Sequence, residues 1–511
     1  MHRPGTEPRA ARRRSRSWLI VTLVLGVLAT GAPVAASAAT PARPSATTTL
    51  LALHATRGDH PAVVDSRDRQ VILRGVNLNS LGDYYQDDPK AAPVVPVTAR
   101  DWDRMASHGF DVVRLLVSWS KLEPARGRIN TRYLRQIHRA VDAAAARGIY
   151  TVIDMHQDAW GKYIASPAGV TCPAGRDPAI GWDGAPRWAT LTDGANTCTV
   201  GSREASEAVL TAWDSFYANR DGIMNQLSMV WGRIALELKH DRAVAGYDLL
   251  NEPNHGHGDV YKAALATYYA KSIAAIRAAE TGPASLHHIV FFETTVFGAA
   301  VDPGFTTDEN IVFAPHNYGE SIGDIPLEGE FAYYDNLAKG YRTALWIGEF
   351  GWFGDPAANA EKLARYARAE EALLTAGDTW WQWRQACGDP HSIGHPGGTP
   401  DHVLIHFQRN GCPGDHNGGV VPEWACVWRP YPRSSPGRLT MLSAACTGDL
   451  KLSGQTEQPG TIDVWYPGTA KSRPTVTGDQ LSKVHVTKVP GGFRITARVS
   501  GSYTVTTFTK S

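Results

Sequence analysis

The sequence predicts an α/β fold, a (β/α)8 (TIM) barrel carrying a C-terminal antiparallel β-sandwich domain. Three observations lead there. Eight short β-branched apolar runs recur between residues 71 and 385. Segments of helical period separate them, as in "TRYLRQIHRAVDAAAARG", where Leu134, Ile137, Val141 and Ala145 fall at three-to-four spacing. Beyond residue 437 the pattern changes to short alternating strands broken by Gly and Pro.

The bulk numbers agree with a globular protein of more than one domain: 511 residues, 43% hydrophobic, 20% charged and a net charge of +1. A charge this near zero leaves no basic footprint for nucleic acid. At the N-terminus "RRRSRSW", "LIVTLVLGVLA" and "APVAASAA" follow the order of a secretion signal, with cleavage near Ala38 or Ala39. The expected division is a signal peptide over 1–39, a flexible segment over 40–60, the barrel over 61–436 and the sandwich over 437–511. Export would free the six cysteines to oxidise. Cys172 and Cys198 share one loop and are the natural local pair, while Cys387, Cys412, Cys426 and Cys446 leave three connectivities open. No CxxC spacing occurs, which argues against a zinc ribbon.

The strand candidates are, in order, 71–79, 111–119, 148–156, 244–253, 287–294, 310–318, 343–351 and 378–385. Their near-continuous apolar character suits a parallel sheet covered on both faces, and a count of eight favours a closed barrel over an open doubly wound sheet. Chemistry in such a barrel sits where the strands end. Those ends carry Asn77, Asn79, Arg114, Trp119, Asp154, His156, Asp158, Asn251, Glu252, Glu293, His316, Tyr318, Glu349, Trp381 and Trp383. Two long loops, 157–202 and the His- and Gly-rich 386–427, also leave that end.

Two carboxylates, Glu252 and Glu349, thus point at one mouth lined by Trp and Tyr. That is the equipment of glycoside hydrolysis, in which one acid protonates the leaving oxygen and the other attacks the anomeric carbon or activates water. Asn251 is placed to hydrogen-bond a sugar 2-hydroxyl. His316 and Tyr318 are placed to hold the two glutamates. Arg114 is expected to favour ionised Glu349, or else to pair structurally with Asp154. The acid is expected to have a raised pKa in the free enzyme. No cofactor is needed, and water is the second substrate.

The set "VVRLLVSW", "DMHQD", "YDLLNEP", "PHNY" and "IGEFG" resembles the clan of retaining β-glycosidases on (β/α)8 barrels, family five among them. The resemblance implies Glu252 as acid/base and Glu349 as nucleophile, with Arg114, His156, Asn251, His316, Tyr318 and Trp381 around them. "LLVSWSKLEPARGRINTRYLRQI", "IDMHQDAWG", "GAPRWATLTDG" and "WRPYPRSSPG" further resemble endoglycoceramidases, which release an intact oligosaccharide from the ceramide of a glycosphingolipid. On that match Asp158 and Trp188 would contact the sugar next to the ceramide, and loops 157–202 and 386–427 would build an apolar cleft for the lipid. A monomer that meets a membrane surface only transiently is expected.

Other readings follow from the same residues. A β-glucosidase or endo-β-glucanase would need the glutamates but no lipid cleft. A metal enzyme would use the ligand-like spacings His391/His395, His402/His406 or His255/His257, although none lies on a helix face. A non-catalytic carbohydrate-binding barrel would have no use for the paired glutamates and their surroundings.

Overall fold

A computed structural model of the chain describes residues 50–86, 88, 90–354, 357–391, 407–408, 422–444, 446 and 448–509. The expected signal over 1–39, the start of the 40–60 segment, and His395, His402, His406 and Cys412 lie outside the described residues.

All eight predicted barrel strands form: Leu73–Leu78, Val112–Ser118, Tyr150–His156, Val244–Asp248, Ile289–Phe292, Ile311–Phe313 continued by His316–Asn317, Ala344–Leu345 continued by Ile347–Phe350, and Gly377–Trp380. Each pairs in parallel with the next, and the eighth returns to the first through Gly377↔Leu73 and Trp380↔Val76. The open-sheet alternative is thereby excluded. Buried residues run without interruption along the second and third strands, as expected where helices cover the outside and side chains fill the inside. Register then decides which polar residues meet. Asn77 lies opposite Arg114, Asp154 opposite Asp248, and His316 opposite Glu349.

The helix over Thr131–Ala145 begins where Asn130 accepts hydrogen bonds from the amides of Arg132 and Tyr133, and it buries Leu134, Ile137 and Val141. Thr98 and Asp101 cap the helix Ala99–Ser107 reciprocally.

The antiparallel domain is one continuous hydrogen-bonded sheet of nine strands, built on two long strands, Leu450–Pro467 and Gly492–Phe508. Its limits differ from those expected. Residues 50–60 are not a flexible lead, since Leu53–Thr56 is a strand. Together with Ala62–Asp65 and Arg69–Val71 it extends the C-terminal sheet, because Ser434, Ser435 and Pro436 pair with Val71, Gln70 and Arg69. The boundary at 436/437 likewise moves back to Tyr431, where that sheet begins. The domain docks on the barrel through Tyr431, whose hydroxyl donates to the Gly109 carbonyl at 2.7 Å, and through Trp465. Gly109 has φ +78°, and a Cβ there would stand 2.2 Å from the Trp465 ring. Only glycine allows that approach. Disulfides join Cys172 to Cys198 and Cys426 to Cys446, and Cys387 is also disulfide-bonded.

Candidate active site

Arg114 organises the mouth. Wholly buried on the second strand, it donates from Nη1 to Glu349 Oε1 (2.6 Å) and from Nε to Asp248 Oδ2 (2.9 Å). Its Nη2 lies 3.0 Å from each of Asn251 Oδ1, Glu293 Oε1 and Asp154 Oδ1. Both readings of Arg114 therefore hold at once: it pairs with Asp154 and it contacts Glu349. Asp154 also binds His156 Nδ1 at 2.8 Å, which turns the other face of that ring against Trp381 in a stack with centroids 5.5 Å apart. Trp381 Nε1 is buried, lines the cleft and has no hydrogen-bond partner among the described residues, so it is a donor kept for a ligand, while His156 Nε2 stands 3.5 Å from Asp158 Oδ2.

Both oxygens of Glu349 are occupied, Oε1 by Arg114 and Oε2 by the Tyr318 hydroxyl at 3.0 Å. Glu252 stands across from it in the left-handed region, with φ +39°. A non-glycine residue rarely stays there unless its surroundings hold it. They do: the Glu252 amide donates to Glu293 Oε2 (2.9 Å), and Gln157 Nε2 donates to the carbonyls of Asn251 (2.8 Å) and Glu252 (2.9 Å). His316 Nδ1 lies 2.9 Å from Glu252 Oε1, while its Nε2 is 3.3 Å from Glu293.

The charges depart from the sequence expectation. Burial raises Glu252, but the hydrogen bond and charge of His316 and the charge of Arg203 outweigh it, and the carboxyl titrates below its ordinary value rather than above. Burial, with the charge of Glu252 beside it, raises Glu349 and outweighs the lowering pull of His316 and Arg114. Glu293 is pushed up to about 8, chiefly by burial, with Asp248 adding to the shift. Burial opposes the charge on His316, but Glu293, Glu349 and Glu252 raise it well above the usual histidine range. The free site thus holds protons, centred on His316 and Glu293.

Around the glutamates lies a cleft of about 850 Å³ with two unlike walls. One is polar: Asp158, Trp182, Arg203, Glu204 and His391. The other is apolar: Phe297, Ile322, Ile325, Tyr333 and Phe353.

Trp188 is not among the lining residues. Its indole N–H donates to the Glu123 carbonyl at 3.0 Å and its ring meets Trp119 edge-on, so the loop spends it on packing. Trp182 lines the cleft instead, beside Asp183, which is fastened to the barrel by the Ser118 hydroxyl at 2.5 Å. The apolar wall also differs from expectation, because it follows the fifth, sixth and seventh strands rather than the two long loops. Asn77 and Trp383 support the site without facing it. Asn77 Nδ2 donates to the Gly348 carbonyl at 3.0 Å, and the Trp383 indole donates to Asp101 at 3.2 Å. His255 and His257 do not converge on a common point. His255 Nδ1 meets the Gly256 carbonyl, whereas His257 bridges Asp214 and Glu207.

Residues 64–386 match the family model described as cellulase (glycosyl hydrolase family 5). The chain belongs to glycosyl hydrolase family 5. This family 5 hydrolase is 30% identical over 490 residues to endoglycoceramidase I of Rhodococcus hoagii (strain 103S), covering 88% of the chain and 87% of that relative. It superposes on a crystal structure of endogalactoceramidase with a TM-score of 0.79 and 38% identity, over 89% of this chain and 100% of that one. Endo-glycoceramidase II from Rhodococcus sp., as its lactosyl-enzyme intermediate, shares the fold at a TM-score of 0.67 and 22% identity, over 88% of this chain and 100% of that one. The family 5 hydrolase is a retaining glycosidase. One oxygen each of Glu252 and Glu349 and one nitrogen of His316 lie within 4.8 Å of one another, so the two carboxylates can act on one glycosidic bond.

Arg203, Trp182 and the apolar wall escaped the sequence reading, and His391 entered it only as a candidate metal ligand. Apart from Tyr333, on the helix Leu327–Tyr341, and Ile322, which ends the short helix Gly319–Ile322, they sit in loops with no periodic signal, and nothing in the order of residues says which loop positions fold over the mouth.

Proposed function

We propose that the protein hydrolyses the β-glycosidic bond between glycan and ceramide in glycosphingolipids by double displacement. The single observation that carries this is the asymmetry of the cleft. Phe297 (57% exposed) and Ile322 (73% exposed) give the cleft that Glu252 and His316 also line an exposed apolar ridge, while Asp158, Arg203 and Glu204 give it a charged lining. A soluble protein leaves such a ridge bare when an apolar ligand uses it, and covering it contributes about 25 cal/mol per Å². The names of endoglycoceramidase I and endogalactoceramidase support the same substrate.

Glu349 is the nucleophile, with one oxygen on Arg114 and the other on Tyr318. Glu252 is the acid/base. In the first step Glu349 bonds to the anomeric carbon while Glu252 gives its proton to the departing oxygen. In the second Glu252 takes a proton from water as the glycosyl–enzyme ester opens. Asn251 has one amide proton on the Gln157 carbonyl at 2.9 Å, which leaves its other proton for the sugar 2-hydroxyl. Asp158, His156 and Trp381 bind the glycone. The chain acts outside the cell as a monomer that touches the membrane surface transiently. The signal pattern of residues 1–39 and the disulfides Cys172–Cys198 and Cys426–Cys446 support export.

The test is product analysis on a fluorescent-ceramide glycolipid beside a plain aryl β-glucoside. Free ceramide with an intact oligosaccharide is expected, lost in Glu349→Gln. The double variant Phe297→Ser/Ile322→Ser should raise KM for the glycolipid about tenfold and leave the aryl glycoside unchanged. Cleavage of the aryl glycoside alone would move the substrate to simple β-glycosides.

A further inference from the structure

Arg203 stands in the polar wall on the segment between the strand Cys198–Thr199 and the helix Glu207–Tyr217. Its Nη2 lies 2.6 Å from Asp158 Oδ1 and 3.2 Å from Glu252 Oε2, its Nε is 3.1 Å from Glu204 Oε1, and its Nη1 is 3.2 Å from His391 Nε2. The guanidinium covers the Trp182 ring at 4.5 Å. In the free site each Glu252 oxygen thus meets a cation, Oε1 at His316 and Oε2 at Arg203. A carboxylate so engaged is a base, and it cannot hand a proton to a leaving group. One of the two must release it.

His316 is poorly suited to let go. Its backbone is in register with Glu349, and its ring is wedged between Glu252 and Glu293. Arg203 rides on a loop, a quarter of its side chain faces solvent, and Glu252 is the most distant of its three carboxylates. Glu252 is faced by Asp158 from the third strand's loop, Arg203 and Glu204 from the 198–207 segment, and Glu293 from the fifth strand. His316 and Tyr318 face it from the sixth strand, Tyr334 from the helix Leu327–Tyr341, and Glu349 from the seventh strand. Of these groups only His316 and Arg203 are cations; His391, lowered by burial but pushed up to about 9 by Asp389 and Asp158, adds its charge beside Arg203 and Asp158.

We propose that Arg203 is a positioning residue that arms the acid/base. A neutral glycone hydroxyl enters between Asp158 and Arg203, accepts from the guanidinium in place of Glu252, and donates to Asp158. The released Glu252 then takes the Nδ1 proton of His316 on Oε1, which leaves a neutral imidazole, and passes that proton to the glycosidic oxygen as the C–O bond breaks and the Glu349 ester forms. Arg203 keeps its charge throughout. Three carboxylates around it disfavour an anionic sugar at this point and favour an uncharged hexose.

This rests on Glu252 being the acid/base, and the experiment separates the two claims. The pH dependence of kcat/KM and of kcat is measured for wild type, Arg203→Met and Arg203→Lys on a long-chain alkyl β-glycoside and on its dinitrophenyl counterpart, whose leaving group needs no proton. In Arg203→Met the basic limb of kcat/KM on the alkyl glycoside should move up by about one pH unit, because a cation no longer depresses the acid in the free enzyme. The basic limb of kcat should stay, since Arg203 has already left Glu252 in the complex. KM should rise about tenfold. Arg203→Lys retains a cation for the case in which the Met variant does not fold, and it should show a smaller shift of the same sign. A uniform loss of activity with both limbs in place, in whichever variant folds, assigns Arg203 to structure alone and overturns the proposal. Glu252→Gln provides the control, read on kcat/KM because that constant reports the first step and not the base-assisted second one: kcat/KM lost on the alkyl glycoside but kept on the dinitrophenyl one upholds the acid. Equal loss on both removes that assignment, and the role of Arg203 falls with it.

Discussion

Arg74 and Arg114 occupy neighbouring barrel strands, both wholly buried and both ringed by carboxylates, yet their settings are opposite in kind. Arg74 lies at the end that the C-terminal domain seals, with Glu370 at 3.1 Å and Asp378 at 3.9 Å, under the ring of Tyr431 at 4.7 Å. Arg429 completes that cluster, pairing with Glu370 and with Glu371 at 2.6 Å. Burial and the charge of Glu370 push Asp378 up to about 7, so below that pH two guanidiniums face two carboxylates. Arg114 faces Asp154, Asp248, Glu293 and Glu349 at a mouth open to solvent. The comparison teaches that burial of charge is a stability device where it balances and is sealed. It becomes a chemical device where acids stay in excess and a ligand completes the set.

Five substitutions break or sharpen this contrast. The largest effect is at the mouth. Glu349→Gln should lower turnover about 10⁴-fold or more while leaving Tm unchanged or raised, because one member of a crowded acidic set is neutralised. Kinetics beside a thermal scan test it, and a lower Tm would show that the acids stabilise rather than strain the mouth. Next comes the sealed end. Arg429→Met strands Glu371 and leaves Glu370 with Arg74 alone, and it should cost about 3–5 kcal/mol, with kcat of the folded enzyme intact, as read from denaturant unfolding and active-site titration.

Gly109→Ala should cost about 1–3 kcal/mol, since φ +78° and the Trp465 ring both resist a Cβ. Its effect on kcat should be nil, because the mouth is at the other end. The smallest signal is a slope. Asp378 and Glu293 bind a proton more tightly folded than unfolded, so stability falls as pH rises between the ordinary carboxylate value and about 7 for Asp378 or about 8 for Glu293. Asp378→Asn should flatten Tm against pH over the first window and Glu293→Gln over the second. Unchanged slopes would mean that both carboxyls are ionised in the fold.

Much of the barrel was legible because its strands are short apolar runs that each end in a polar residue. Glu252, Glu349, Arg114, His156, His316 and Trp381 were found on that basis, and the structure brings them together. Trp188 was misplaced for an instructive reason. It lies in "GAPRWAT", and either Trp182 or Trp188 has the chemistry to stack on a sugar, but only the Ser118–Asp183 contact decides which one the loop turns inward. Residues 53–60 read as part of a flexible segment and 61–71 as part of the barrel because nothing nearby shows that Arg69–Val71 pairs with Ser434–Pro436.

By itself, then, the sequence determined the eight strands, the helices between them, the antiparallel C-terminal region and the strand-end glutamates. These depend on local period and on the alternation of apolar and polar residues, which neighbours along the chain suffice to set. Only the tertiary structure decided the protonation of Glu252 and Glu349, the hold of Arg203 on the acid, and the division of the cleft into a charged and an apolar wall. Charge and desolvation act across ångströms between residues that stand far apart along the chain. Their sum does not exist until the barrel closes and the loops lie down across its mouth.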